Sequence, residues 1–389
     1  MRIALVWNAP FRLVDFTVRY ELYVEGFRGL GADVITVCRA GTEEGYPHPV
    51  RCFLEERELA DPAFWRDLGC QVVMIITWHR MTEILVAIRT AGARVLANCE
   101  SDTQHSPRLH PWATFQFMTY LQPSWRGKLG AAKYWLQRSL YRAGAEHRAL
   151  SENTAAADVL SLAGQGAVEE FRCTISRIGS PELRERIAWV PYPVPEMFCL
   201  GAVKPNRADR VIAVGRWDSP QKNPGLLDAT IRRLHATGEQ TEILIVGRAA
   251  EKRFAHLARR NPRVQVLGIQ PRERVGELMA ECRAVLIPSR WESGPIVANE
   301  MLALGGTVVG TPILNLRALT VDGQFGRVSR SHAAGALANA VREEMAAWDR
   351  GERDPMAIAA HWRELVSPAA VAGRMLNLLG LHASHTQVV

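Results

Sequence analysis

Short apolar runs alternate with amphipathic stretches along most of the chain. In the first hundred residues, the runs at 3–7, 33–38, 72–78 and 94–98 predict buried strands, and the stretches at about 18–30 and 81–91 predict helices. Buried strands that alternate with helices are typical of a parallel sheet with helices on both faces. We therefore expect an α/β domain in this part of the chain.

The pattern is interrupted near residue 200 and then starts again. The segment Tyr192-Pro193-Val194-Pro195 is unsuited to regular structure, and the polar residues 204–210 are typical of a linker. Beyond it, strands are predicted at 211–214, 243–246, 264–267, 284–288 and 307–310, and helices at 224–236, 249–260, 272–281 and 295–304. The sequence thus predicts an α/β protein of two Rossmann-like domains with a boundary near residue 200.

The composition is that of a globular protein large enough for two hydrophobic cores. The chain has 389 residues, of which 48% are apolar and 22% charged. No apolar run approaches the ~20 residues that span a bilayer, and the apolar N-terminal run is too short for a signal peptide. The seven cysteines are odd in number and form no C-x-x-C pair, which argues against a zinc site or a disulfide framework and indicates a reducing compartment. We expect a cytoplasmic protein, with any membrane contact peripheral and at the inner face.

The charge balance is mildly basic, and two common nucleotide signatures are missing. A net charge of +7 suits anionic partners such as nucleotide diphosphates, lipid surfaces or nucleic acid, and equally suits an arginine-rich protein with none of them. Asn8-Ala9-Pro10 follows the first strand where a G-x-G-x-x-G loop would stand, and Gly127-Lys128 is followed by leucine rather than Ser or Thr. The chain is therefore neither a standard dehydrogenase nor a P-loop enzyme.

The segment 291–300 carries two glutamates around a predicted helix start. Ser293 or Gly294 can cap this helix, and Pro295 suits its first turn. Glu300 is the only charged residue between 294 and 304, so its carboxylate is expected to be buried and to need a partner. Either a bound diol, such as a ribose, or an internal arginine could be this partner. Glu292 stands just before the helix N-terminus, whose free amides suit an anion, although it is also compatible with a surface position.

A second segment with chemistry follows the predicted strand 211–214. Arg216 and Lys222 lie on a loop at the carboxyl end of the sheet, where α/β folds bind ligands, and Asn223-Pro224 would begin the next helix. Two cations beside a helix N-terminus suit a diphosphate. A solvated basic loop is the alternative.

Together and in this order, the two segments resemble the family 4 retaining glycosyltransferases of the GT-B fold. The resemblance is good over about residues 210–330 and general in the N-terminal half. It implies two Rossmann-like domains that face each other across a cleft. Residues 1–200 would bind the acceptor, residues 201–368 would bind the nucleotide-sugar, and a helix within 369–389 would pack back on the N-terminal domain.

By this resemblance, Arg216 and Lys222 grip the diphosphate, Glu292 contacts the transferred sugar and Glu300 binds the ribose hydroxyls. Other donor-binding residues that the resemblance implies are Gly215, Gly268, Ser293, Gly294, Pro295 and Ile296. Asn8, His79 and His105 are candidates for contact with the acceptor or the donor sugar, and for the histidines a solvated or capping role is an equal alternative.

The implied reaction moves a hexose-type sugar from a UDP- or GDP-sugar to a hydroxyl of a glycan, lipid-linked or secondary-metabolite acceptor, with retention. The implied reaction needs no cofactor and no metal, since protein cations bind the diphosphate. The absence of an Asp-x-Asp motif from the sequence is consistent with this expectation. The usual aromatic between the motif's glutamate and glycine is replaced by Ser293, and a Gly-Gly pair is missing around 314–320. These departures leave the sugar and the acceptor open.

A basic, aromatic stretch spans residues 120–150. It contains one acid, Glu146, and six cations: Arg126, Lys128, Lys133, Arg138, Arg142 and Arg148. Four aromatic residues are interleaved with them: Trp125, Tyr134, Trp135 and Tyr141. Such a helix can lie on an anionic bilayer, bind an anionic acceptor or pack with a basic outer face.

Two other functions remain compatible with these residues. A nucleotide-sugar 2-epimerase would use the same donor site without an acceptor. A non-catalytic or nucleic-acid-modifying basic protein would show strongly salt-sensitive DNA binding, although a buried Glu300 favours a diol over a phosphate backbone.

Overall fold

The computed structural model describes residues 1–7, 19–40, 49–77, 80–99, 115, 118–119, 122, 124–141, 143–320 and 322–381. It divides into two compact units, one formed by Met1–Thr103, Tyr141–Pro195 and Leu365–Val389, the other by Gln104–Leu140 and Glu196–Glu364. Asn8, His79 and His105 lie outside the described residues.

The first unit is built on a seven-stranded parallel sheet. Its strands are β1 (Arg2–Trp7), β2 (Asp33–Arg39), β3 (Val50–Phe53), β4 (Val72–Thr77), β5 (Arg94–Cys99), β6 (Val159–Leu162) and β7 (Ile187–Trp189), in the order β3-β2-β1-β4-β5-β6-β7. In chain order the helices are α1 (Arg19–Gly29), α2 (Pro62–Leu68), α3 (Thr82–Thr90), then α4 (Trp125–Tyr141), which belongs to the second unit as far as Leu140, and α5 (Ala143–Ala156) and α6 (Gln165–Arg177). The central strands are apolar and buried because helices cover both faces of the sheet.

The second unit holds a six-stranded parallel sheet. Its strands are β8 (Ala208–Val214), β9 (Glu242–Val246), β10 (Val264–Gly268), β11 (Cys282–Ile287), β12 (Thr307–Gly310) and β13 (Gly326–Val328), in the order β10-β9-β8-β11-β12-β13. The helices are α7 (Glu196–Leu200), α8 (Pro224–Ala236), α9 (Ala250–Arg260), α10 (Arg272–Glu281), α11 (Ile296–Ala303), α12 (Leu314–Leu319), α13 (Ala334–Asp349) and α14 (Pro355–Val366). Connections run outward in opposite directions from β8 and β11, so a crevice for ligands is expected at the carboxyl ends of these two neighbouring strands.

A last helix, α15 (Pro368–Leu378), packs on α1 of the first unit. The Ser367 hydroxyl caps it by accepting a hydrogen bond from the Ala370 amide at 3.3 Å. The backbones approach so closely that a Cβ at Gly26 would overlap the Pro368 carbonyl oxygen.

The polar stretch 204–210 is only partly the linker that the sequence predicts. Its last three residues begin strand β8, and Arg207 is buried. The Arg207 guanidinium donates to the carbonyl oxygens of Met279 at 3.2 Å, Cys282 at 2.6 Å and Leu304, at the ends of α10 and α11. The last carbonyls of a helix lack intrahelical partners, and the Arg207 guanidinium supplies hydrogen bonds to them. A residue of the polar stretch is therefore part of the core.

Candidate active site

The loop after β8 and the loop after β11 meet at the switch point of the second sheet. The Arg290 amide donates to the Gln221 carbonyl at 2.8 Å, and the Gln221 side chain donates to the Trp291 carbonyl at 3.0 Å. Trp217 anchors the first loop, since it is buried and its indole N–H donates to the Val246 carbonyl at 2.9 Å. The two loops are thereby held in register with each other and with strand β9.

Lys222 and Glu292 form an ion pair between these loops. The Lys222 ammonium lies 2.6 Å from Glu292 Oε1, and the Glu292 side chain is 8% exposed. Ser289 Oγ also donates to Oε1 at 2.6 Å, and Gln221 Nε2 donates to Oε2 at 3.2 Å. Three donors therefore offset the desolvation of this carboxylate.

The backbone on both sides of Glu292 is fixed by two buried side chains. Asn315, on α12, donates through Nδ2 to the carbonyls of Glu292 at 2.7 Å and Ser293 at 3.0 Å. Thr311 Oγ1 donates to the Ser289 carbonyl at 2.5 Å. Sequence reasoning missed Asn315 and Gln221; the signal for Asn315 is an amide at a buried position of a short, mostly apolar helix.

Helix α11 begins at Ile296, one residue later than the sequence predicts. Neither Ser293 nor Gly294 caps it, since Pro295 occupies the N-cap position without a side-chain bond. The Ile296 and Val297 amides donate to no described residue, as expected for the first turn of a helix. The helix start thus offers two free N–H groups directly after the Glu292 loop.

Glu300 lies on the second turn of α11 and is 6% exposed. Of the two partners that the sequence left open, the structure shows the internal arginine: Arg272 Nη2 donates to Oε1 at 2.7 Å. Burial raises the pKa of Glu300, while Arg272 opposes that rise. The Arg272 guanidinium also lies 5.8 Å from the centre of the Phe198 ring. Among the described residues no donor reaches Oε2, which leaves that oxygen available as an acceptor.

The other predicted residues lie at the edges of this arrangement. Arg216 is exposed, and its guanidinium makes no ion pair within the described part of the chain. Gly215 directly follows β8, and its carbonyl oxygen occupies the space that a Cβ at Gly247 would need. Gly268, at φ +65°, ends β10 with the Glu251 carboxylate against it. Asn223 stands at the N-cap of α8 in a left-handed conformation and makes no side-chain cap, contrary to expectation.

No cluster of three or more His, Cys, Asp or Glu side chains that could hold a metal ion is found in the described residues. Within the same residues, no helix is long and apolar enough to cross a membrane.

Comparisons with known proteins identify the fold. Residues 208–346 match the family model described as Glycosyl transferases group 1. No curated protein matches the chain. Among solved structures, a glycosyltransferase from Rickettsia africae ESF-5 is 13% identical, with 97% of each chain covered and a TM-score of 0.66. The structure of Anabaena Alr3699/HepE in complex with UDP is 15% identical, and the match covers 98% of this chain and 100% of that one with a TM-score of 0.63.

A third neighbour, a sucrose-phosphate synthase from Thermosynechococcus elongatus, is 17% identical, with 97% of this chain and 98% of its own covered and a TM-score of 0.57. The expected two-sheet α/β fold is confirmed as GT-B. The narrower assignment to family 4 stays a prediction.

Proposed function

We propose that this GT-B chain, whose residues 208–346 match the glycosyl transferases group 1 model, is a glycosyltransferase that transfers a hexose-type sugar from a nucleotide diphosphate to an acceptor hydroxyl with retention of configuration. The observation that carries the proposal is the Lys222–Glu292 pair at the β8/β11 switch point, next to the free amides of α11. A cation and free amides suit a diphosphate, and a hydrogen-bonded carboxylate suits sugar hydroxyls.

The diphosphate would lie between Lys222, Arg216 and the N-terminus of α11. Lys222 then turns from Glu292 towards the phosphate oxygens, where positive charge stabilises the negative charge that builds up on the leaving nucleotide. Glu292 keeps the hydrogen bonds from Ser289 and Gln221 when Lys222 moves. Its carboxylate thus keeps two hydrogen-bond donors while it accepts further hydrogen bonds from hydroxyls of the transferred sugar.

The ribose would be held by Glu300. Arg272 occupies Oε1, so Oε2 is the oxygen that would accept from the ribose hydroxyls. Gly215, directly after β8, and Gly268, the last residue of β10, present backbone without side chains at the carboxyl ends of these strands, which suits close approach of a nucleotide. Ser293, Gly294, Pro295 and Ile296 would line the side of the sugar and phosphates.

We assign the first unit to the acceptor, a glycan, lipid-linked or secondary-metabolite hydroxyl, and the second unit to the donor. Arg216 and Lys222 would serve the diphosphate without a metal ion. The HepE structures with UDP and with UDP-glucose favour a UDP-sugar over a GDP-sugar. We also propose a cytoplasmic location, because the odd number and scattered spacing of the cysteines suit a reducing compartment.

Thermal unfolding in the presence of UDP-, GDP-, ADP- and TDP-sugars tests the donor site. A ligand at a hundred times its Kd stabilises by about 2.7 kcal/mol, so one nucleotide class should raise the Tm clearly. Lys222→Met should lose most of that rise, whereas Lys204→Met, which removes an exposed ion pair with Glu281, should keep it. A Tm that responds to none of the nucleotide sugars would refute the proposed site.

Turnover with acceptor panels tests the reaction. We expect a glycosylated product whose anomeric configuration, read by NMR, equals that of the donor, and loss of turnover in Glu292→Gln. An epimerised sugar with free nucleotide and no transfer product would identify the 2-epimerase instead. An inverted product would disprove retention.

A further inference from the structure

Helix α4 carries an exposed apolar stripe along one face. Trp125, Leu129 and Leu136 are 67%, 60% and 50% exposed. They are spaced four and seven residues apart, which are close to whole numbers of helical turns, so the three side chains lie on the same face. A row of large apolar side chains left in water marks a surface that meets something else.

Cations flank this stripe and acids are missing from the helix. Arg126, Lys128 and Lys133 are exposed, and the sequence from 124 to 141 contains no Asp or Glu. At 100° per residue, Arg126 and Lys133 fall on one side of the stripe and Lys128 on the other. Ion pairs within the helix are therefore impossible, and the cations face outward beside the apolar row.

We propose that this surface, defined by Trp125, Leu129, Leu136 and the three flanking cations and called the α4 face, docks on an anionic lipid bilayer. Apolar side chains enter the boundary between headgroups and acyl chains while Lys and Arg pair with lipid phosphates. Tryptophan favours the same boundary because its ring is amphipathic. A nucleic acid would use the cations but would leave the apolar stripe in water.

The inference is independent of the sugar-transfer proposal, since it rests only on the composition and exposure of α4. Its test is co-flotation of the full-length protein with vesicles of phosphatidylcholine alone or with 30% phosphatidylglycerol. We expect binding to the anionic vesicles, weak binding to the neutral ones, and loss of binding as salt rises.

The cations are tested by the triple substitution Arg126→Gln/Lys128→Gln/Lys133→Gln. At about fivefold in affinity per cation near the surface, we expect a loss of roughly a hundredfold. The matched control is Lys252→Gln/Arg253→Gln/Arg259→Gln on the exposed face of α9, which removes the same charge elsewhere and should cost much less.

The apolar stripe is tested by Leu129→Ser/Leu136→Ser, with the exposed Leu54→Ser as control. We expect at least a tenfold loss for the first and little change for the second, with unchanged Tm for both. Brominated lipids should quench a fluorescence component that disappears in Trp125→Phe. The inference is overturned if folded protein ignores anionic vesicles, or if the α4 variants bind as tightly as their controls. Co-purification of α4-dependent nucleic acid or protein in place of lipid binding would also overturn it.

Discussion

Replacing Arg272 by methionine would leave the carboxylate of Glu300 buried without its partner. Methionine keeps an apolar chain beside Phe198, so the change isolates the charge. Removing one member of a buried ion pair typically costs about 3–5 kcal/mol. The Arg272 side chain is 28% exposed, so water screens part of the interaction. We therefore expect a loss of about 2 kcal/mol near pH 8, which lowers the Tm by about 4–8 °C for a domain of this size.

The loss should depend on pH in a defined direction. Burial raises the folded-state pKa of Glu300 above its unfolded value, and without Arg272 that pKa rises further. A carboxyl with a raised folded pKa contributes most to stability below its unfolded pKa, and that contribution is lost as pH rises through the folded pKa. Arg272→Met should therefore be only mildly destabilised near pH 5 and most destabilised near pH 8.

Differential scanning calorimetry at pH 5 and pH 8 measures this difference. The double variant Arg272→Met/Glu300→Gln should recover most of the stability at pH 8, since no charge is then buried. Arg274→Met is the control, because it breaks an exposed ion pair with Glu277 on the same helix and should change stability by less than about 0.5 kcal/mol. An equal loss at both pH values, or no recovery in the double variant, would refute the electrostatic reasoning.

Three further substitutions probe the supports of the site. Asn315→Asp replaces two donated hydrogen bonds by a carboxylate facing two carbonyl oxygens, and we expect more than a tenfold loss of kcat/KM in steady-state kinetics of sugar transfer. Gly247→Ala places a Cβ on the Gly215 carbonyl oxygen at φ +116°, so we expect at least about 2 kcal/mol of destabilisation by denaturant unfolding and weaker nucleotide binding. Arg207→Met removes the hydrogen bonds that the buried guanidinium donates to three carbonyls at the ends of α10 and α11, and we expect a loss of about 2–4 kcal/mol in the same unfolding assay.

Each of these has a control in the chain. Asn339→Asp changes an exposed amide on α13 and should leave kcat/KM unchanged. Gly335→Ala adds a methyl group into open space and should not destabilise. Lys204→Met should cost far less than Arg207→Met, since Lys204 is exposed. Equal effects in a variant and its control would contradict the assigned role.

Long apolar strands could be predicted from the sequence because each is buried on both faces. Four short strands, β3, β6, β7 and β13, were not predicted from the sequence. Val50–Phe53 is an edge strand with two exposed residues at its centre, and the other three have only three or four residues each. The burial of Glu300 could be predicted from the local pattern, but the side chains that contact Glu292 and Glu300 could not. Lys222 lies 70 residues before Glu292, and only the crossing of strands brings them together. The prediction of a solvated linker at Arg207 was wrong for the same reason, because the carbonyl groups that it contacts lie 72 to 97 residues away in the sequence.

The packing of α15 on α1 fixes an order of events during synthesis. All seven strands of the first unit precede the second sheet in the chain, yet α15, with its buried residues Val371, Met375 and Leu376, follows that sheet. At typical rates of translation, the surface of α1 around Gly26 waits on the order of tens of seconds for its cover. The nascent first unit thus leaves the apolar surface of α1 uncovered while the second sheet is translated, and a chaperone that binds apolar surface has a defined target until α15 arrives.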